Sequence, residues 1–300
     1  MKAAEFDYVR ATSLDEVCDL LDETGDHKII AGGQTLVPLM AMRLARPALL
    51  IDIADVEALR FIRVEGDVLR IGAATRQVEA EHSPLVRERL PLLIKALRWV
   101  GHPQTRNRGT VGGSIAAADP SAEIPLVALA LEARALARSK GGESELALTD
   151  FFRGPMMTAL APEQCLVEIR FPLWSGRVGC GFQEVSARAS DFALVAAATQ
   201  LVLDAGGICT RIAAALGGVG AAPVRVRAPE ALLGRRLEPA AVDDALAALG
   251  DEIAPEDDQH ASADYRRRVA RTLMARALIE ARDEALKRAL APPAAAPDSR

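Results

Sequence analysis

Two glycine-rich segments about eighty residues apart constrain this chain more than any other feature: Ala31-Gly32-Gly33-Gln34-Thr35 and Thr110-Val111-Gly112-Gly113-Ser114. A glycine pair lets the backbone reach positive φ and come close to a ligand, and N–H groups freed at a turn or helix start can then point at a phosphate. The two segments read as halves of one phosphate cradle, and such a cradle implies a bound nucleotide.

The first segment is placed by its flanks. Lys28-Ile29-Ile30-Ala31 is short, apolar and β-branched, which predicts a buried strand, and residues 36–44 predict the helix that follows. Thr35 is the expected N-cap, and Pro38 falls in the first turn, where no intrahelical donor is lost. No G-x-G-x-x-G occurs, and Asp52 alone stands near the spacing of a ribose-anchoring acid, so the dinucleotide fingerprint of the Rossmann fold is not met. Around the second segment, residues 101–125 hold four glycines, two arginines and several small polar residues. That composition predicts a loop, either one that closely approaches a ligand or an ordinary surface loop.

Three hundred residues with 50% hydrophobic content can bury substantial cores and suggest two or three units. A formal net charge of −5 argues against a nucleic-acid partner. No early basic-apolar-small leader and no run of about eighteen apolar residues occurs, which predicts a cytoplasmic chain without direct membrane insertion. Cys18, Cys165, Cys180 and Cys209 lack C-x-x-C spacing and read as buried thiols, and His27, His82, His102 and His260 are equally dispersed. No metal site is expected, and only His102, in the loop before the second segment, keeps a possible functional role.

Three sections follow from the patterning. Residues 1–55 alternate helix and short strand, with Ser13 as N-cap for a helix over 14–22 and Gly25 ending it. Residues 56–175 mix strands at 61–64 and 68–71 with helices such as 90–100. After Pro172 come strands at 179–186, 193–204 and 210–216, then helices at 228–233, 239–249 and 263–290, which predicts an α+β domain of one sheet under a helical layer. In the last helix Tyr265, Val269, Leu273 and Ala277 form the expected buried stripe, and Arg266, Arg267 and Arg268 lead the charged face, packed on its own domain or open to a partner. Residues 291–300 are expected to be a disordered tail.

At this point the residues carry a resemblance. Arg106-Asn107-Arg108-Gly109-Thr110 running into the second glycine segment and on to Pro125, read with the first segment, resembles the flavin-binding medium subunit of the xanthine dehydrogenase and aerobic carbon monoxide dehydrogenase family of molybdenum hydroxylases. The similarity also takes in Phe6-Asp7-Tyr8, Leu49-Leu50-Ile51-Asp52-Ile53, Ser190-Asp191-Phe192-Ala193, Leu216-Gly217-Gly218-Val219-Gly220 and His260-Ala261-Ser262-Ala263-Asp264-Tyr265. Only about the last ten residues fall outside it.

The resemblance implies an α+β fold: a two-part FAD-binding domain of the vanillyl-alcohol oxidase type, in subdomains 1–55 and 56–175, followed by a C-terminal domain over 176–290 with an antiparallel sheet and a helical layer. It places the FAD pyrophosphate at Ala31, Gly32, Gly33, Gln34, Thr35 and Leu36, and a second cofactor contact at Thr110, Val111, Gly112, Gly113, Ser114 and Ala117. Asp119 and Glu123 fall where relatives place acids near the adenosine and ribose, although Glu123 could equally cap the helix it begins. Leu166, Asp191 and Phe192 match positions near the flavin ring, with core packing as the other reading of Phe192. Gln183 stands where xanthine dehydrogenases carry a lysine.

The implied function is that of an FAD subunit in a heteromeric molybdenum hydroxylase. Its partners would be a small subunit with [2Fe-2S] clusters and a large one with molybdopterin, as a dimer of heterotrimers. Electrons from substrate oxidation on the large subunit would reach this chain through the clusters and leave to an external acceptor, with no catalytic residue needed here. The alternatives are a stand-alone flavin-dependent oxidoreductase of the same fold and a scaffold subunit that has lost its cofactor.

Overall fold

The computed structural model describes residues 2–290, so the expected disorder of 291–300 lies outside the described residues. The chain begins with strand β1 (Asp7–Arg10) and helix α1 (Leu14–Asp22). The Ser13 hydroxyl accepts from the Glu16 N–H at 3.1 Å, and Leu14, Val17, Cys18 and Leu21 turn inward, so cap and apolar stripe together fix the start and the face of α1. The helix stops at Asp22 with Glu23 already extended, so Gly25, three residues further on, is not its terminator. Strand β2 (His27–Ile30), helix α2 (Leu36–Ala41) and strand β3 (Leu49–Asp52) complete a small sheet in which β3 lies between β1 and β2 and runs parallel to both.

Helix α2 is shorter than the pattern predicts, and Thr35 does not cap it. Thr35 is itself in the right-handed helical region, and its side chain makes no cap bond. The physical reason is local: the Val37 N–H is already held by the Gly33 carbonyl at 3.0 Å, and Pro38, next along, has no N–H to offer. Arg43, at φ 61°, turns the chain out of the helix.

The second unit opens with the hairpin β4 (Ile62–Glu65) and β5 (Val68–Gly72). Six short helices follow: α3 (Gln77–His82), α4 (Pro84–Arg89), α5 (Pro91–Leu97), α6 (Pro103–Arg108), α7 (Val111–Ala117) and α8 (Glu123–Ala130). Prolines at the starts of α4, α5 and α6 begin those helices rather than breaking them. The stretch 101–125, predicted as a loop, is therefore mostly helical. Strands β6 (Arg134–Ser139), β7 (Gly142–Ala147), β8 (Phe152–Gly154), β9 (Met157–Thr158) and β10 (Cys165–Pro172) complete the unit. Five of its strands form an antiparallel sheet in the order β4-β5-β10-β6-β7, with β8 and β9 as a separate pair.

In the third unit, β11 (Arg177–Ser186), β12 (Ala193–Leu203), β13 (Cys209–Gly217) and β14 (Val224–Val226) pair antiparallel in sequence order. Helix α10 (Ala263–Leu290) covers one face, and α9 (Pro239–Ala245) packs beside α10. Gly179 and Gly181 let α10 rest on the β11 backbone: a Cβ at either would fall 1.9 Å from the Ala281 carbonyl or 2.0 Å from that of Ala277. The buried stripe of α10 runs through Ala270, Leu273, Met274, Ala277, Leu278 and Ala281, while Tyr265 is partly exposed. Arg266 does not belong to the charged face: it is buried, donating to the Leu194 and Gly218 carbonyls and to Asp258.

The other face of the C-terminal sheet packs on the second unit. Helix α8 is apolar after its first residue, Glu123, and buried at every position, because it lies in the core that joins both units. Cys18, Cys165, Cys180 and Cys209 are buried as free thiols.

Candidate functional site

A cleft of about 530 Å³ opens where the β2–α2 turn meets the second unit. One wall is Ile30, Ala31, Gly32, Gly33, Gln34 and Val37; Arg10, Asp52, Arg76 and Arg108 stand around it. The two glycine segments meet behind this wall. A Cβ on Gly32 would fall 2.3 Å from the Arg108 carbonyl oxygen and 2.7 Å from the Gly109 Cα, so the backbones can abut only because Gly32 has no side chain. Gly33 takes φ 69°, the left-handed turn that aims the chain into α2.

The segments present different groups. Among the described residues the N–H groups of Gly33, Gln34 and Thr35 have no acceptor. Four of the second segment's five amides are taken: Val111 N–H by Thr75 at 3.0 Å, Gly112 by Ala73 at 3.0 Å, Ser114 by the Thr110 carbonyl at 3.1 Å and Gly113 by the Thr110 hydroxyl at 2.9 Å; among the described residues the Thr110 N–H has no acceptor. Thr110 thus caps α7, and a Cβ on Gly112 would sit 2.4 Å from that of Ala73. This segment fastens α7 to the end of β5, and most of its N–H groups are spent in doing so, unlike those of the first segment.

The cleft is electropositive. Arg76 donates to the Arg108 carbonyl, and burial, followed by the neighbouring Arg108, pushes its guanidinium below the ordinary range. Among the described residues neither Arg76 nor Arg108 has a carboxylate partner, whereas Arg10 is paired with Asp55 at 2.7 Å. Asp52 accepts from the Tyr8 hydroxyl at 2.5 Å, and that bond raises the Tyr8 phenol. A polyanion is what such a wall of cations and unpaired N–H groups would bind. The arginines escaped the sequence reading; the available signals were Arg108 inside the quoted motif and Asp52 at ribose-acid spacing.

The remaining predicted residues lie outside the cleft lining. Leu36 begins α2, and Ser114 and Ala117 are half-buried on α7. Asp119 accepts from the Ser121 N–H at 2.8 Å in the turn before α8. Glu123 is the first residue of α8 and 7% exposed; Ala122 is the N-cap, and Glu123 caps no other residue. Leu166 is buried on β10. Asp191 pairs with Arg188 at 3.0 Å at the β11–β12 tip. Phe192, 74% exposed there, is not a core residue. Gln183 donates to Glu280 at 2.9 Å. His102 is an exposed N-cap position of α6 without a side-chain cap bond.

Comparison with known proteins adds to this geometry. A family model for the FAD binding domain in molybdopterin dehydrogenase matches residues 4–174, and one for the CO dehydrogenase flavoprotein C-terminal domain matches residues 181–281. The chain is 39% identical to the 6-hydroxypseudooxynicotine dehydrogenase complex subunit alpha of Paenarthrobacter nicotinovorans, over 94% of this chain and 96% of that one. It is 34% identical to the carbon monoxide dehydrogenase medium chain of Hydrogenophaga pseudoflava, over 91% and 96% of the two chains. Among solved structures, carbon monoxide dehydrogenase from Hydrogenophaga pseudoflava lacking the Mo-pyranopterin moiety of its molybdenum cofactor superposes with a TM-score of 0.91 at 35% identity, covering 95% of this chain and 99% of that one.

Proposed function

This chain belongs to the FAD-binding medium subunits of the molybdopterin dehydrogenases, and from that premise we propose that it receives electrons from [2Fe-2S] clusters of a small partner subunit and hands them to an external acceptor. It is the flavoprotein subunit of a molybdopterin-dependent oxidoreductase. The fold is the FAD-binding type followed by the CO dehydrogenase flavoprotein C-terminal type. On our reading the working units are residues 1–55, 56–175 and 176–290, and the assembly is a cytoplasmic dimer of heterotrimers with a large molybdopterin subunit. Among the described residues no helix is long and apolar enough to cross a membrane.

The observation that supports this reading is the cleft: the first glycine turn, in which the Gly33, Gln34 and Thr35 N–H groups have no acceptor among the described residues, borders a space also lined by Arg10, Arg76 and Arg108. These residues fit a dinucleotide pyrophosphate. Ala31, Gly32, Gly33, Gln34, Thr35 and Leu36 would hold it, the arginines would neutralise it, and an anion there would relieve the mutual repulsion of Arg76 and Arg108. Thr110, Val111, Gly112, Gly113, Ser114 and Ala117 would form the second contact, through hydroxyl groups and the end of α7. Asp119 and Glu123 would serve the sugar end, and Leu166, Asp191 and Phe192 the flavin end. When bound, FAD supplies the redox chemistry, and the protein binds, orients and shields it.

The test is the visible spectrum of the purified chain together with chromatography of what acid or heat releases. Stoichiometric non-covalent FAD is the expected result, and Gly33→Val is expected to abolish its retention. A colourless chain that cannot be loaded with FAD even beside its native partners would sink the reading.

A further inference from the structure

A buried guanidinium in the C-terminal unit holds two backbone segments together. Arg266 lies in the first turn of α10, where the Ser262 hydroxyl accepts from the Tyr265 N–H at 3.2 Å and the Ser262 carbonyl from the Arg266 N–H at 3.0 Å. One terminal nitrogen of its side chain donates to the carbonyls of Leu194 and Gly218, the latter at 3.0 Å, and the other donates to Asp258 at 2.6 Å. Asp258 is fixed in turn, since its carboxylate accepts from the His260 and Ala261 N–H groups at 2.8 and 2.9 Å. Both carbonyls belong to unusual backbone. Leu194 is the extra residue of a β-bulge: Val185 pairs with Val195 and Ser186 with Ala193, so Leu194 has no residue opposite it on β11. A bulge re-aims the side chains beside it. Gly218 takes φ 72°, and a Cβ there would fall 2.3 Å from the Leu194 carbonyl, so only glycine lets both segments close on one guanidinium. The Gly218 N–H donates to the Pro120 carbonyl at 3.0 Å, in the turn before α8.

We propose that Arg266 is a positioning residue for the bound flavin: by tying the Leu194 bulge to Gly218, and through Gly218 to the turn before α8, it sets the direction of Phe192 relative to the flavin-binding unit. This rests on the reading above, in which Phe192 serves the flavin end. Phe192 is 74% exposed, so little packing of its own fixes the ring, and the backbone beneath it decides where it points. The other polar bonds of the β11–β12 tip are internal to it: Arg188 pairs with Asp191, and the Ser186 hydroxyl donates to the Arg188 carbonyl. Neither refers the tip to the rest of the molecule. Arg266 does, because its planar fork serves two carbonyls and a carboxylate at once. An ammonium on a flexible stem keeps the charge but not that fixed geometry. None of these residues lines the phosphate cleft, so retention of the pyrophosphate does not depend on the clamp.

The experiment compares the full chain as wild type, Arg266→Lys, Phe192→Ala and the double variant. It reads FAD content, circular dichroism in the visible flavin bands, and amide hydrogen exchange over 187–195 and 217–220. Arg266→Lys is expected to keep FAD at the wild-type stoichiometry, to speed exchange in both segments several-fold, and to change the flavin dichroism in the same direction as Phe192→Ala. The double variant should match Phe192→Ala, because a residue that acts through the ring has no further effect once the ring is gone. Wild-type exchange in Arg266→Lys would overturn the clamp. Faster exchange with unaltered flavin dichroism, or a dichroism change that adds to that of Phe192→Ala, would overturn its role toward the flavin. If Arg266→Lys does not fold, Asp258→Asn loosens the guanidinium without removing it and must move the same bands, and bands that stay put overturn the proposal. A wild-type chain that cannot be loaded with FAD removes the flavin reading and this role with it, whereas a flavin-bearing wild type with an indifferent Arg266→Lys removes only the role.

Discussion

At the scale of single residues, three glycines that look alike in sequence do three different jobs. Gly32 lets two backbones touch, Gly33 supplies a left-handed turn, and Gly112 seats α7 on Ala73. Their substitutions should therefore fail in different ways. Gly33→Val forces a β-branched residue into positive φ at a cost of about 1–3 kcal/mol and crowds Val37, which stands 3.1 Å from the new Cβ. Flavin content should be lost while far-ultraviolet dichroism stays native. Gly112→Ala puts a methyl group 2.4 Å from the Ala73 Cβ, an overpacking of about 1–3 kcal/mol, so its unfolding midpoint should drop before flavin content at low temperature does. Equal flavin loss in both variants, with no difference in melting, would contradict this division. The glycine pairs were legible in the sequence, but their separate jobs were not. What a Cβ would strike is set by residues some forty or eighty positions away, such as Ala73 for Gly112 and Arg108 for Gly32.

At the scale of elements, what could be read depended on whether a local signal agreed with the tertiary setting. Ser13 and the stripe behind it gave α1 its start and end, and the hydroxyl bond to Glu16 supports a direct prediction: Ser13→Ala should lower stability by about 1 kcal/mol, measured by denaturant unfolding. Helix α10 was legible because 28 residues of helix-forming sequence leave little room for error, although its inner face was displaced from the predicted stripe and takes in Arg266. Helices α6 and α7 were hidden by their composition. Gly112 and Gly113 are poor helix formers, and only packing on Ala73 and the Thr110 cap make Val111–Ala117 helical. Pro103 and Thr110 were the available start signals, outweighed by the glycines around them. In α2 the same reasoning erred the other way, because a threonine before an apolar run reads as a cap even when no N–H is left for it.

At the scale of the whole molecule, three cores are joined by shared helices and by polar clasps, among them that of Lys95. Leu136, Cys165 and Val167 of the central sheet close the core of the first unit, and α8 closes the seam to the third. At the edge of that seam the Lys95 ammonium donates to Glu280 at 2.6 Å and to the Cys180 carbonyl at 2.7 Å, with Glu284 also 2.7 Å away. Burial lowers its affinity for a proton, but the two carboxylates and their neighbours outweigh this, so Lys95 stays charged above its ordinary range. Lys95→Met leaves Glu280 and Glu284 without their shared cation and should cost about 2 kcal/mol, measured by denaturant unfolding at neutral pH. A midpoint unchanged at neutral pH would show the clasp to be idle.

The bare strip at Gly179 and Gly181 has a consequence in the order in which the molecule can be made. The first sheet is complete once Asp52 has emerged, and the central sheet once Pro172 has, but the β11 backbone stays uncovered until Ala277 and Ala281 arrive about a hundred residues later. A ribosome-bound chain therefore carries a finished cleft long before its outermost strand is sheathed. During that interval the face of β11 at Gly179 and Gly181 is bare backbone with no side chain to ward off another chain, next to an edge that stays open in the finished sheet. A truncation that removes the second half of α10 would freeze the protein at that stage, and its expected fate is aggregation through β11 rather than loss of the cleft.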